Sequence, residues 1–192
     1  MLDKPNFPRL NKQDNHGADS GSTGGEDKGA APPPSDAGQL QRELPEHEKA
    51  SPWKGVIKSL RFFKDFSTEQ FDELYLQSKI IKYAKKEYIV RETEKDAAFY
   101  ILLTGSATIY KRDVFRSKKD IGKLLAGDCF GEISFLLNRA RTASILPTEE
   151  CIVFQISGED IQKMSKETQV NIFRAFSAML ARRLDEVTSR NV

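Results

Sequence analysis

The chain has 192 residues, 39% hydrophobic and 30% charged, with a formal net charge of +2. That length suits one well-filled domain plus a tail, and so small a basic excess, scattered along the sequence, gives no electrostatic footprint for nucleic acid. There is no apolar run of the roughly 18 residues needed to span a membrane. The start Met1-Leu2-Asp3-Lys4-Pro5 lacks a signal peptide's apolar core, so a cytoplasmic protein without a membrane partner is expected.

Residues 1–51 are poor in apolar side chains, and GSTGGEDKGAAPPPSDAG forms their low-complexity centre. Such a segment buries too little to offset its ordering entropy, so a disordered tail is predicted, with the domain over 52–192. His16 and His47 lack metal-ligand spacing and read as solvated. From Pro52 the pattern becomes helical: Trp53, Val56, Ile57 and Leu60 share a face and predict the leading helix. Ser67 with Gln70 three residues on is a capping-box signature, which predicts a second helix from about Thr68 to Ser78 with Phe71, Leu74 and Tyr75 in the core.

Between Ile80 and Phe154 the signal turns to strands, read as IIKY, YIV, AFYILL, SATIY, DIGKLL, TASIL and CIVFQI, divided by short polar or glycine-containing breaks. Many short strands of this kind predict a mainly β fold, an antiparallel barrel or sandwich with flanking helices. The charged stretch KRDVFRSKKD, Lys111 to Asp120, reads as a solvated hairpin end. Cys129 and Cys151 sit in apolar contexts with no CxxC or histidine neighbour and read as reduced core thiols.

CFGEISFLLNRARTASI, from Cys129 to Ile145, holds the chemistry. Ile133 to Leu137 predicts one short helical turn whose first amides lack intrahelical partners, and such amides bind anions. Gly131 allows close backbone approach, and Arg141, ten residues on, lies far enough along for the chain to turn back and present a guanidinium. Amides with one arginine suit a singly charged phosphodiester. Further on, Ser157 predicts the cap of a short helix reaching about Ser165. A longer amphipathic helix is expected from about Glu167 to Ser189.

The run Phe130-Gly131-Glu132, the apolar turn after it, and Arg141-Thr142-Ala143 together resemble the phosphate-binding cassette of the cyclic nucleotide-binding domain family. The resemblance implies a jelly-roll-like β-barrel with N-terminal helices, a short cassette helix and a C-terminal lid helix. It implies that Glu132 accepts the ribose 2′-hydroxyl, that Arg141 pairs with the exocyclic phosphate oxygens, and that the amides of Ile133 and Ser134 complete the cradle. Thr142 and Ala143 would then lie beside the base, with Phe176, Leu180, Arg183 and Leu184 on the last helix either forming the lid or packing on the core or pairing two chains. Gly105 and Gly127 fall at family-like turn positions, whereas Lys86, Thr93 and Asp96 stand where the family usually has glycines, which predicts reshaped or strained turns.

The function so implied is a sensor for cAMP or cGMP, leaning to cAMP, that signals to an effector protein or through self-association and uses no cofactor. Alternatives are a module of the same fold that binds no nucleotide, or a regulator whose DNA-binding part lies in another chain. No nucleophile-base pair, metal-ligand cluster or paired carboxylates can be assembled, so an enzyme is not expected.

Overall fold

The computed structural model describes residues 42–43, 52–115 and 117–189. The tail expected over residues 1–51 lies outside these, apart from Arg42–Glu43, which form a short edge strand, β1. That strand departs from the expected disorder: it pairs antiparallel with β2, and Glu43 forms an ion pair with Lys79 at 3.2 Å.

Helix α1 spans Pro52–Lys58 and buries Trp53 and Ile57. A 3-10 turn, Arg61–Phe63, follows, and α2 spans Thr68–Leu76. The capping box at its start is formed: Ser67 Oγ accepts from Gln70 N at 3.2 Å, and Gln70 Oε1 accepts from Ser67 N at 3.0 Å. Together these satisfy two amides that the first turn leaves without partners.

The strands are β2 Lys79–Tyr83, β3 Ala98–Thr104, β4 Ser106–Arg112, β5 Lys118–Leu125, β6 Cys129–Phe130, β7 Ser144–Pro147 and β8 Cys151–Ser157. All pairings are antiparallel, in a five-stranded sheet ordered β1-β2-β8-β3-β6 and a three-stranded sheet ordered β5-β4-β7. The expected antiparallel architecture is thus realised as two facing sheets rather than one closed hydrogen-bonded cylinder. Of the predicted strand YIV, only Val90 pairs, through a single bridge to Ile145. Both ends of the charged hairpin stretch belong to β4 and β5.

Strand alternation sorts the core into two layers. Phe99, Ile101 and Leu103 of β3, with Phe154 and Ile156 of β8, meet the helices. Ala98, Tyr100 and Leu102, with Val153, face Ala107, Leu124 and Ile145 of the smaller sheet. A strand covered on both faces must be apolar along its length, and this accounts for the unbroken AFYILL and CIVF runs.

Lys86 and Thr93 adopt φ of 66° and 71°, so the glycine-like backbone is kept at both and carried by L-residues. Gly105, at φ +84°, could not carry a side chain: a Cβ there would lie 2.4 Å from the Glu150 carbonyl oxygen. The cassette helix α3 spans Glu132–Leu137, α4 spans Gly158–Lys163 with Ser157 accepting from Asp160 N at 3.1 Å, and α5 spans Lys166–Ser189. Both cysteines are free and buried, and burial pushes the Cys151 thiol up to about 11.

Candidate functional site

Strand β6 delivers the chain into Gly131, whose left-handed φ of +80° turns it directly into α3. A Cβ at position 131 would lie 2.6 Å from Arg141 Nη1 and 3.2 Å from the Ala98 carbonyl oxygen. The glycine is therefore required by the arginine packed beneath it, a closer constraint than the ligand approach expected from sequence. Phe135 N donates to Gly131 O at 3.3 Å, so the amides of Ile133 and Ser134 precede the first such bond of the turn. Asn138 ends α3 in the left-handed region at φ 46°, and the chain doubles back through Arg139 to Ala143.

Arg141 is 3% exposed. Its backbone is fastened to the β2–β3 connection, with Arg141 N donating to Glu94 O at 2.8 Å and Thr93 N donating to Arg141 O at 2.9 Å. Its Nη1 donates to Gly131 O at 2.9 Å and its Nη2 to Ala98 O at 2.7 Å. The same Nη2 forms an ion pair with Asp96. The guanidinium also lies over the Tyr100 ring at 5.4 Å, and Tyr100 stacks on Phe130 at 5.2 Å. Its Nε is buried and has no hydrogen-bond partner among the described residues.

Asp96 is more than a counter-charge. It accepts from Ala98 N at 2.9 Å and from the Tyr100 hydroxyl at 2.7 Å, and burial together with the Asp96 charge holds the Tyr100 phenol protonated. The sequence reading placed Asp96 only as a departure from a glycine turn. Here it is the residue that orients Arg141.

Glu132, 4% exposed, accepts from Arg183 Nη1 of α5 at 2.5 Å. Arg183 Nη2 also donates to the Cys129 carbonyl. Thus the last helix is tied to the first residue of the cassette turn by one guanidinium.

These elements enclose a cleft of about 490 Å³. The expected residues of the turn (Phe130, Gly131, Glu132, Ile133 and Ser134), those of the returning loop (Arg141, Thr142 and Ala143) and Arg183 all line it. Of the other lid candidates, Phe176 is a core residue at 1% exposure, packed against Phe99 with ring centroids 4.7 Å apart. Leu184 is 69% exposed, and neither it nor Leu180 lines the cleft. Helical spacing alone could not separate a residue facing the core from one facing a ligand. Residues of β4 and β5 that sequence reasoning missed also line the cleft: Ile109 and Lys111 with Ile121 and Lys123. The two-residue spacing of Ile109 and Lys111 was the available signal on β4, whereas on β5 the register shift at Ile109/Tyr110 breaks the alternation.

Among the described residues no group of histidine, cysteine and carboxylate side chains could hold a metal ion, and no helix is long and apolar enough to cross a membrane.

Residues 80–168 match the family model described as the cyclic nucleotide-binding domain. The chain is 30% identical over 95 residues to a cGMP-dependent protein kinase of Plasmodium berghei, covering 50% of this chain and 10% of that protein. It is also 30% identical over 105 residues to the human potassium/sodium hyperpolarization-activated cyclic nucleotide-gated channel 1, covering 55% of this chain and 11% of the channel. It therefore spans about a tenth of the length of these relatives. Among solved structures, a cyclic nucleotide-binding domain from Methylobacillus flagellatus superposes with a TM-score of 0.62 at 19% identity, covering 71% of this chain and 78% of that one. The regulatory domain of Toxoplasma gondii PKA with cAMP gives 0.55 at 18% identity, covering 65% and 47%. With the cassette turn, the returning arginine and the two-sheet frame all in place, residues 80–168 of this chain form a domain of the cyclic nucleotide-binding family.

Proposed function

We propose that the cleft binds a cyclic purine monophosphate, cAMP or cGMP, and that the bound state is passed to an effector protein or a second copy of the chain through α5. The observation that carries this reading is the convergence on one cleft of Glu132, Arg141 and the amides at the start of α3, with a buried Arg141 Nε still lacking an acceptor. A phosphodiester anion matches that donor set, and Arg141 with the amides of Ile133 and Ser134 would hold it. Glu132 would accept from the ribose 2′-hydroxyl, with Thr142 and Ala143 beside the base. The role is one of binding and regulation, and no residue is assigned a catalytic task.

Transmission follows from what already occupies Glu132. Its carboxylate accepts from Arg183 of α5, so a ribose hydroxyl must share or displace that guanidinium. A ligand shifts a conformational equilibrium by its differential affinity for the two states, and here the difference falls on the helix that carries Arg183.

Calorimetric titration of the full chain with cAMP, cGMP and the corresponding 2′-deoxy nucleotides tests the reading. Saturable binding with weaker affinity for the deoxy forms is expected. Absence of heat with both ribonucleotides at millimolar concentration, together with no thermal stabilisation, would remove the nucleotide from the account.

A further inference from the structure

The β4–β5 hairpin extends past the sheet to a tip closed between Asp113 and Ser117, with Asp113 N donating to Ser117 O at 3.0 Å. The Asp113 carboxylate is turned into the loop, where Oδ1 accepts from the amides of Phe115 and Ser117, each at 2.9 Å. Among the described residues of the loop, those that face outward are apolar: Val114 is 92% exposed and Phe115 is 85% exposed. Directly behind them the strand register sets Arg112 opposite Lys118 and Lys111 opposite Lys119. Like charges directly opposite in an antiparallel ladder repel and weaken the hairpin. Lys118 lies over the Tyr110 ring at 5.0 Å and the Glu92 carboxylate accepts from Arg112 N at 3.0 Å, which eases the Arg112–Lys118 pair, but the Lys111–Lys119 pair and the two bare apolar side chains still cost stability in water. A single kind of surface relieves both.

We propose that the tip of the β4–β5 hairpin docks on an anionic lipid surface, with Val114 and Phe115 entering the interface and Lys111, Arg112, Lys118 and Lys119 meeting the headgroups. The dimensions agree, because a strand rises about 3.3 Å per residue. Arg112 and Lys111 stand two and three residues before Val114, about 7 and 10 Å behind it at that rise, each facing its partner across the ladder, which is headgroup depth when the tip enters the acyl boundary by roughly 5 Å. The charge is complementary: Asp113 is committed to the loop amides, so the tip presents basic groups around an apolar point. The sequence reading gave this hairpin end to solvent because the apolar pair is flanked on both sides by charge. The register supplies what sequence lacked, by stacking those charges in facing pairs. The inference is independent of nucleotide binding. Lys111 also lines the cleft, so the test spares it.

The full chain is sedimented with vesicles of phosphatidylcholine alone and of phosphatidylcholine with about one-third phosphatidylserine. Pelleting on the anionic vesicles only is expected, and it should be lost in about 1 M salt, where the screening length falls to about 3 Å. Val114→Ser with Phe115→Ser, and separately Lys118→Glu with Lys119→Glu, should each lower the partition about tenfold or more. All four side chains are exposed, so unfolding transitions should stay at or slightly above that of wild type, as relief of the facing cations requires. In a second measurement Phe115→Trp should shift its emission to the blue and be quenched by brominated lipid, over a constant background from buried Trp53. Wild type that fails to pellet on anionic vesicles, or pellets equally on phosphatidylcholine, overturns the proposal. So do variants that pellet as wild type does. If the tip instead serves a protein, the Phe115→Trp emission stays that of an exposed indole when vesicles are added, and the proposal is equally overturned.

Discussion

Replacing Arg141 by alanine removes two things at once, and the structure separates them. In the folded protein the change deletes the hydrogen bonds to Gly131 O at 2.9 Å and Ala98 O at 2.7 Å and the ion pair with Asp96. The Ala98 carbonyl is left in a buried setting, at a cost of about 1 to 3 kcal/mol. Asp96 is 38% exposed at its side chain and can rehydrate, so its share falls well below the full cost of a broken buried pair, about 3 to 5 kcal/mol. A stability loss of roughly 2 to 4 kcal/mol results, visible as a fall of several degrees or more in unfolding temperature. Binding should weaken by a further 2 to 4 kcal/mol or so, because a charge-assisted phosphate contact is lost. That corresponds to about a 30- to 700-fold rise in Kd. Calorimetry below the lowered transition measures the second effect apart from the first. Arg141→Lys keeps the charge and loses the fork, so it should recover part of the affinity without restoring every internal bond. A folded Arg141→Ala protein whose affinity for both cyclic nucleotides equals wild type would refute the assignment of Arg141 to the phosphate.

Glu132→Ala should raise Kd by the equivalent of about 1 to 3 kcal/mol. The variant should also lose the distinction between ribo- and 2′-deoxynucleotides, and a retained distinction in calorimetry would take the ribose away from Glu132. Thr93→Gly should raise stability by about 0.5 to 1 kcal/mol in urea unfolding, because a β-branched residue at φ 71° carries a left-handed penalty that exceeds the entropic cost of glycine. An unchanged midpoint would show the turn to be unstrained. Glu73 joins α2 to the start of α5, accepting from Thr168 Oγ1 at 2.5 Å, from Ser165 Oγ at 2.8 Å and from Ser165 N at 2.6 Å. The Thr168 hydroxyl foremost, and Ser165 after it, hold the carboxyl below its ordinary value. A depressed folded value means the contribution is complete above the ordinary carboxylate range and is lost as pH falls through the folded value. Glu73→Gln should therefore flatten the acid limb of the stability-versus-pH curve below about pH 4. An acid limb identical to wild type would contradict that.

What sequence disclosed and what it hid divide along separation in the chain. The capping box of Ser67 and Gln70 and the Ser157 cap are local patterns, and each takes the form its spacing implied, while the residues named between Phe130 and Ala143 line one cleft. The covered strands were legible as apolar runs, although which side chain faced which layer required the fold. The Asp96–Arg141 pair spans 45 residues, and no periodicity joins its members. Asp96 registered only as a missing glycine, while Lys86 and Thr93, the other two such departures, took the left-handed backbone instead. Strand β1 was invisible because a two-residue edge carries no pattern. Phe176 was drawn toward the lid because the resemblance sets a lid on the last helix, and the aromatic ring of Phe99 on a distant strand is what claims it for the core.

Glu132 and Arg141 each arrive with an internal partner, and the partners differ in how readily they can leave. A buried charge without a counter-charge is too costly to hold in reserve, and Asp96 stands on Arg141 and Arg183 on Glu132. Asp96 is also bonded to Ala98 N and the Tyr100 hydroxyl, so moving it would break three interactions at once, and a phosphate must join that arrangement rather than replace it. Arg183 has a different setting. Its side chain is 41% exposed, the residues beyond it on α5 include Leu184 and Val187 at 69% and 59% exposure, and water can take over its hydrogen bonds at small cost. On the proposed reading, then, the phosphate end of the cleft is the fixed end and the ribose end is the one that yields. The yielding part is the helix whose apolar outer positions stand uncovered, which is why the output is assigned to α5 and not to the β2–β3 connection.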